Sequence, residues 1–137
     1  MSFRKENPIK KPPTYSDFSA QFGRNRRTND LVQLTELDAV KRAVKNLILT
    51  DKYERLLNPR IGSGIKALLF EPMTPITTIS IRDAITNTLV EFEPRAILND
   101  VDVQPDYDRQ TYYVTIIFSI RSTEQVGTVE FFLTRIR

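Results

Sequence analysis

Histidine and cysteine are both absent from the 137-residue sequence, and their absence limits the chemistry available to the chain. Without imidazole or thiolate, the chain cannot build a Ser-His-Asp or Cys-His nucleophile, a usual zinc site or a disulfide. Carboxylates, hydroxyls, lysine, arginine and tyrosine remain. We therefore predict a protein without a catalytic site, a bound metal or a cofactor.

Carboxylate pairs leave one reaction class open, the hydrolysis of glycosidic bonds. Glu71, Glu91 and Glu93 are candidates, and this chemistry requires two carboxyl groups at a set separation with opposed pKa values. A chain with 17 acidic residues always offers such candidates, and no spacing singles out a pair. We interpret these glutamates as surface residues and keep a peptidoglycan hydrolase as an alternative function.

Four aspartates in the C-terminal third are candidates for a calcium site. Their order does not match an EF-hand loop, which has glycine at its sixth position and glutamate at its twelfth. Asp100 and Asp102 fit the solvent face of a strand, whereas Asp106 and Asp108 fit a turn. The sequence therefore favours structural roles for all four.

The first half of the chain has the hydrophobic period of helices. Apolar residues at helical spacing predict an amphipathic helix over 36–50, after a capping-box-like start at Thr35. Gly62-Ser63-Gly64 lacks the Gly-Lys-Ser/Thr of a phosphate loop and predicts a turn into a short helix over 65–70. Thr74 and Pro75 are typical of the start of a second long helix, which ends before Pro94. Its apolar face is predicted to comprise Ile81, Ile85, Leu89 and Phe92.

The last third has a period of two, which is typical of strands. We predict strands over 97–103, 112–120 and 129–133, with a turn over 105–108 and a second connection ending at 125–127. A weak alternation over 29–34 is compatible with one more short strand. The predicted fold class is α+β, with two main helices and a short one packed on a three-stranded antiparallel meander. Residues 28–137 would form this single domain.

Residues 1–27 differ in composition from the rest of the chain. They contain seven basic and two acidic residues, giving +5, while the remaining 13 basic and 15 acidic residues give −2. Three prolines in this segment disfavour regular structure, so we interpret it as an extended basic arm. It could be a solvated tail, a nucleic-acid contact or an arm on a protein neighbour, and its aromatic residues favour protein. The predicted arm contacts are Tyr15, Phe18, Phe22, Arg24, Arg26 and Arg27.

The last predicted strand is long and apolar and lies at the end of the chain. Such strands often form sheet edges, which can pair with a strand of another protein. The alternative is a core strand whose edge is covered by its own fold. The residues of this candidate surface are Val129, Glu130, Phe131, Phe132 and Leu133.

Residues 58–103 resemble a known family in the order and spacing of several short segments. These are Asn-Pro-Arg-Ile-Gly-Ser-Gly-Ile at 58–65, Leu-Leu-Phe-Glu at 68–71, Thr-Pro at 74–75 and Phe-Glu-Pro-Arg at 92–95. The chain is similar over about 30–137 to the gene-product-25-like baseplate wedge family of contractile phage tails. Relatives of that family include a baseplate protein of type VI secretion systems. Ala96 departs from the family pattern, which usually has a larger apolar residue there.

The resemblance implies a structural virion protein of the tail baseplate, made late and assembled in the host cytoplasm. It implies that Glu93, Pro94 and Arg95 contact the helical core of the wedge. It also implies that the sheet joins tail-sheath subunits by strand sharing and so nucleates the sheath. Tail-tube or hub proteins are further expected partners, with several copies around a sixfold axis. No membrane contact is expected, and nucleic acid is a less favoured partner.

Overall fold

The structure is a computed structural model that describes residues 17–18, 33–34 and 36–136. It is an α+β fold, which confirms the predicted class. In chain order the elements are β1 (Asp17–Phe18), β2 (Gln33–Leu34), α1 (Glu36–Leu49), α2 (Ile65–Leu68), α3 (Pro75–Phe92), β3 (Ala96–Asp106), β4 (Thr111–Ile120) and β5 (Val126–Thr134).

The two long helices begin and end close to the positions that the sequence predicts. The Thr74 hydroxyl accepts a hydrogen bond from the Thr77 N–H at 3.2 Å, and Pro75 occupies the first helical turn of α3. At the other end Glu93 is the C-cap, and its N–H donates to the Leu89 carbonyl at 3.0 Å. Pro94 then prevents another turn, because its ring disfavours helical geometry in the preceding residue.

Strand β4 lies in the middle of the three-stranded sheet, between β3 and β5, and both pairings are antiparallel. Its side chains alternate between the two faces of the sheet, as expected for a strand. The residues on its inner face are almost completely inaccessible and form the centre of the hydrophobic core: Tyr112, Val114, Ile116, Phe118 and Ile120.

Helices α1 and α3 cover the inner face of the sheet. Val40 and Val44 from α1 and Ile81 and Ile85 from α3 are fully buried in the same core as β4. Phe92 is only partly buried, at the margin of the core. Among the described helices none covers the outer face, where Tyr113 and Phe132 are exposed. No helix within 36–136 has the length and apolarity needed to cross a bilayer.

The segment between α1 and α2 is fixed by glycines and one buried serine, which confirms the predicted turn. A Cβ atom on Gly62 would lie 2.5 Å from the Asp51 carbonyl carbon, and Gly64 has a positive φ of 65°. The Ser63 hydroxyl donates to the Ile48 carbonyl at 2.6 Å and accepts from the Ile65 N–H at 3.3 Å. The Gly-Ser-Gly sequence therefore forms the turn that leads into α2. It does not form a phosphate-binding loop.

The observed strands differ from the predicted ones at both hairpins. Pro105 and Asp106 belong to β3, where they pair with Tyr112 and Thr111, so the predicted turn over 105–108 is displaced toward 107–110. Proline fits there because β3 is an edge strand and needs no N–H on its outer side. Val126 and Gly127 belong to β5, although we predicted that they would end the connection. Gln33–Leu34 provide the short strand predicted within 29–34, and Thr35 lies outside the described residues.

Gly127 allows the N-terminal ends of α1 and β5 to approach closely. A Cβ atom there would lie 2.8 Å from Phe118 Cζ and 2.9 Å from Leu37 Cδ1. We expect Gly127→Ala to lower the free energy of unfolding by about 1–3 kcal/mol, because the buried Phe118 ring cannot move aside freely. Urea denaturation measures the change, and Thr128→Ala at the next, exposed position should stay within about 0.5 kcal/mol of the original chain. Equal stability of the two variants would contradict this packing.

Candidate functional site: two interaction surfaces

The first surface is the corner between α3 and β3, formed by Glu93, Pro94 and Arg95. Arg95 Nε donates to Glu93 Oε1 at 2.5 Å, and its Nη2 donates to Glu93 Oε2 at 2.7 Å. This two-point geometry holds the guanidinium plane in one orientation. The corner is further tied by the Ala96 N–H, which donates to the Glu93 carbonyl at 3.2 Å.

The members of this corner differ in exposure. Pro94 is exposed, and the Arg95 side chain is 32% exposed, whereas the Glu93 side chain is only 6% exposed. We predicted Glu93 as a surface residue, and this is wrong, because the C-cap position directs its side chain inward, where it borders a cleft of about 250 Å³ shared with α1. The buried Glu93 carboxylate therefore orients Arg95 from the interior. A partner at this corner would contact Pro94 and the guanidinium group of Arg95.

The second surface is the outer edge of β5. Two backbone bonds continue the β4–β5 ladder, one from the Arg135 N–H to the Gln110 carbonyl and one from the Ile120 N–H to the Gln125 carbonyl, both at 2.9 Å. In the antiparallel register they place the odd-numbered residues of β5 in hydrogen-bonded pairs with β4. The N–H and C=O groups of even-numbered residues therefore point away from β4. In the described part of the chain, no strand pairs with this edge.

Strand β3 forms the opposite edge, and it is poorly suited to pairing. Its register shifts between Leu98 and Asp100, and it contains Pro105. Asp100 and Asp102 are exposed along it. Bulges, prolines and charges are the features by which proteins prevent strand addition at an edge. Strand β5 has no proline and a continuous register, so the two edges are not equivalent.

The five predicted residues of the β5 surface divide between the two faces of the sheet. Val129, Phe131 and Leu133 are buried in the core, whereas Glu130 and Phe132 are exposed, the latter at 69%. Of these five residues, only Glu130 and Phe132 can contact a partner through their side chains. The other three residues stabilise the strand that offers the backbone edge.

An aromatic pair lies beside this edge on the outer face. Tyr113 and Phe132 are directly opposite in the β4–β5 register and, with Glu130, border a cleft of about 360 Å³. The Arg109 Nη1 group donates to the Tyr113 hydroxyl at 3.1 Å. This hydrogen bond, with Coulombic contributions from Tyr113 and Asp106, raises the pKa of Arg109. The guanidinium group therefore keeps its positive charge at one end of the outer face.

The three glutamates considered as glycosidase residues are not brought together in the described part of the chain. Both oxygens of Glu93 are occupied by Arg95. Glu91 and Asp83 border a groove of about 630 Å³. They lie eight residues apart on α3, about 12 Å of helical rise, while glycosidase carboxyl groups are about 5–9.5 Å apart. Glu71 is exposed and does not line this groove.

Three of the four aspartates considered as calcium ligands, Asp100, Asp102 and Asp106, have structural partners for their side chains. Asp102 accepts a hydrogen bond from Gln104 at 2.7 Å, and Asp106 accepts from the Asp108 and Arg109 N–H groups at 3.1 Å. Asp106 therefore stabilises the β3–β4 turn through its side chain, in the manner of an Asx turn. Across the described residues, no cluster of three or more acidic side chains could hold a metal ion.

Two further buried polar groups, besides Glu93, were not anticipated from the sequence. Glu36 is buried at the start of α1 and accepts a short hydrogen bond from the Ser122 hydroxyl, which ties α1 to the β4–β5 turn. The Tyr112 hydroxyl is buried without a hydrogen-bond partner among the described groups, and this desolvation, with Tyr107, raises its pKa. A carboxylate in the first turn of a helix is a common sequence feature, so Glu36 carried no distinctive signal.

The predicted arm contacts lie outside the described residues, apart from the backbone of Phe18 in β1. Asp17 and Phe18 pair with Leu34 and Gln33, respectively, and β1 and β2 both contact α1.

The described residues thus form a small α+β domain with a polar corner and a free sheet edge. Residues 35–125 match the family described as baseplate wedge protein gp25. The chain belongs to this family, as its motifs predicted. It is 33% identical over 91 residues to baseplate wedge protein gp25 of Enterobacteria phage T4, covering 66% of this chain and 69% of that protein.

Solved structures share the fold at 20% sequence identity. A candidate tail lysozyme of Geobacter sulfurreducens superposes with a TM-score of 0.72, covering 77% of this chain and 96% of that one. A chain of the anti-feeding prophage baseplate superposes with a TM-score of 0.60, covering 90% of this chain and 87% of that one. At this identity the likeness concerns the fold alone.

The Glu93–Arg95 pair gives a direct test of the corner geometry. In Glu93→Gln the amide N–H₂ would face the guanidinium donors, and one charge-assisted bond would be lost. We expect the free energy of unfolding to fall by about 1–3 kcal/mol. Thermal and urea denaturation measure this loss. The control is Glu91→Gln, at an exposed position near the same end of α3, and it should leave the free energy of unfolding almost unchanged. If Glu93→Gln also left it unchanged, the Glu93–Arg95 pair would not stabilise the corner.

Proposed function

We propose that this chain is a structural subunit of a contractile-tail baseplate that connects the wedge core to the tail sheath. Its 93–95 corner binds the helical core of the wedge, and its β5 edge accepts a strand from the first sheath subunits. The chain thereby nucleates sheath assembly without catalysis. Several copies would act together around the sixfold axis of the baseplate.

The observation that carries this proposal is the open edge of β5. Its even-numbered residues direct their N–H and C=O groups away from β4, and the register continues without a bulge. An extended segment can add to such an edge through main-chain hydrogen bonds alone. Buried Val129, Phe131 and Leu133 hold the edge in place, so it is formed before a partner arrives.

The corner supports the second half of the proposal. The bidentate pair fixes the guanidinium group of Arg95 next to exposed Pro94, at the end of a helix of 18 residues. Arginine held in this way loses little conformational entropy on binding a carboxylate. Charge reversal at Arg95 is a poor test, because it would place a second carboxylate beside buried Glu93. Arg95→Lys is more informative.

Thr128→Pro tests the edge. Proline at residue 128 would remove an N–H that points away from β4, so the hydrogen bonds between β4 and β5 stay intact. The residue before it is Gly127, which tolerates the backbone restriction that proline imposes on its predecessor. We expect binding to the tail-sheath subunit to fall at least tenfold, measured by co-sedimentation or interferometry with purified proteins.

Thr128→Ala serves as the matched control and should bind normally, since it keeps the N–H group. Circular dichroism and the melting temperature verify that the proline variant is folded. Normal sheath binding by a folded Thr128→Pro chain would exclude strand addition at β5.

Arg95→Lys tests the corner. Lysine preserves the charge that Glu93 requires but loses the planar two-point geometry. We expect binding to the reconstituted wedge core to weaken roughly tenfold, while the free energy of unfolding changes by less than about 1 kcal/mol. Sheath binding should be unaffected, and a variant that binds the wedge core normally would remove Arg95 from the interface.

A further inference from the structure

The exposed side chains of β5 give its edge a defined chemical character. On the outer face, Glu130 lies opposite Thr115, and Thr115 lies opposite Asp102 on its other side. The two carboxylates therefore lie in one row across the sheet. Asp102 already accepts a hydrogen bond from Gln104, whereas Glu130 is exposed at the open edge.

Helix α1 runs along the inner side of the same strand. Its first turn meets the start of β5, because Leu37 Cδ1 would lie 2.9 Å from a Cβ atom on Gly127. Its last turn meets the end of β5, where Ile48 and Leu133 border one cleft. The separation from Leu37 to Ile48 is about 16 Å along the helix, and that from Gly127 to Leu133 is about 20 Å along the strand. The two lengths are therefore similar.

Two lysines lie on the side of α1 that is nearest to the free edge of β5. Lys41 and Lys45 follow Leu37 at four and eight residues, and thus share its row on the helix surface. Helix α3 lies on the opposite flank, where Ala43 and Asn46 border the cleft at the corner. The lysine row is therefore directed away from α3, toward the side on which a strand added to β5 would lie.

The charges on the two sides of this edge are opposite and unpaired with one another. Glu130 lies on the outer side and Lys41 and Lys45 on the inner side, and none of the three belongs to an ion pair within the described residues. Lys45 and Glu130 are exposed, and Lys41 is partly exposed. The sheet itself separates the two sides, so each set of charges would face different residues of an incoming strand.

We propose that the β5 edge selects a strand whose two faces carry opposite charges. Its outer face places a basic residue opposite Glu130 and an apolar residue opposite Phe132. Its inner face carries acidic residues toward Lys41 and Lys45. Successive side chains of a strand alternate between faces, so the selected segment alternates basic or apolar residues with acidic ones. This inference rests on the proposed strand addition and specifies the chemistry of the segment.

Synthetic peptides of the same length as β5 test the selection with the full-length chain. All share the same apolar residues. The first has lysine on one face and glutamate on the other, the second has lysine on both, and the third has glutamate on both. The cross-strand charge pair at Glu130 should contribute about 0.2–1 kcal/mol, and each exposed ion pair with Lys41 or Lys45 about as much, so the first peptide should bind about five- to tenfold more tightly than the others.

Two sets of substitutions should change the preferred peptide in opposite directions. Glu130→Lys makes both sides of the edge basic, so the glutamate peptide should bind best. Lys41→Glu combined with Lys45→Glu makes both sides acidic, so the lysine peptide should bind best. Glu91→Lys, an exposed position on α3, is the control with the same charge change as Glu130→Lys and should leave the order unchanged.

The outcomes separate this inference from the proposed function. Equal binding of all peptides, no measurable binding, or an unchanged order in Glu130→Lys would overturn the charge selection. If Thr128→Pro still abolished sheath binding, strand addition would stand without that selection. If Thr128→Pro left sheath binding intact, the proposed function would fail, whatever the order of the peptides.

Discussion

The register of β5 against β4 determines both the stability of the sheet and the character of its free edge. In this register Val129, Phe131 and Leu133 enter the core, and Glu130 and Phe132 remain outside. A shift by one residue would reverse every side chain. Burying each of the three apolar side chains contributes about 1.5–3 kcal/mol, so the alternative register is strongly disfavoured. The backbone groups that face outward are fixed by the same energy.

The corner at the end of α3 depends on a different kind of constraint. Pro94 ends the helix, the C-cap position directs the Glu93 carboxylate inward, and the carboxylate in turn positions Arg95. A buried carboxylate without its partner would be costly, which couples the orientation of the guanidinium group to the integrity of the fold. The partly exposed Arg95 is thus positioned by the buried Glu93. Leucine or alanine at residue 93 could not position the guanidinium group, because neither accepts a hydrogen bond through its side chain.

Much of the fold could be predicted from local patterns. The period of 3.6 in α1 and α3, the Thr74-Pro75 start and the alternation in β4 specify element type with little help from tertiary structure. The burial of Glu93 could not be predicted in this way, because it depends on how the end of α3 packs against α1. The sequence indicated the last strand as a candidate edge, but whether that edge is covered depends on strand order and register, which local patterns do not specify. Pro105 was misplaced because proline is typical of turns, yet an edge strand accepts it.

The inequality of the two sheet edges has a consequence for growth. A subunit whose β-sheet can pair at both edges can form a chain of copies, because each copy accepts a strand at one edge and offers its other edge to the next copy. Here the bulge at Leu98–Asp100 and Pro105 close one edge of the three-stranded sheet, and of its two edges only β5 remains receptive. Such a subunit can begin a series but cannot continue it with copies of itself. Under the proposed strand addition, an assembly that began on this chain would therefore grow from β5 in one direction only, because the bulge and Pro105 disfavour pairing at β3.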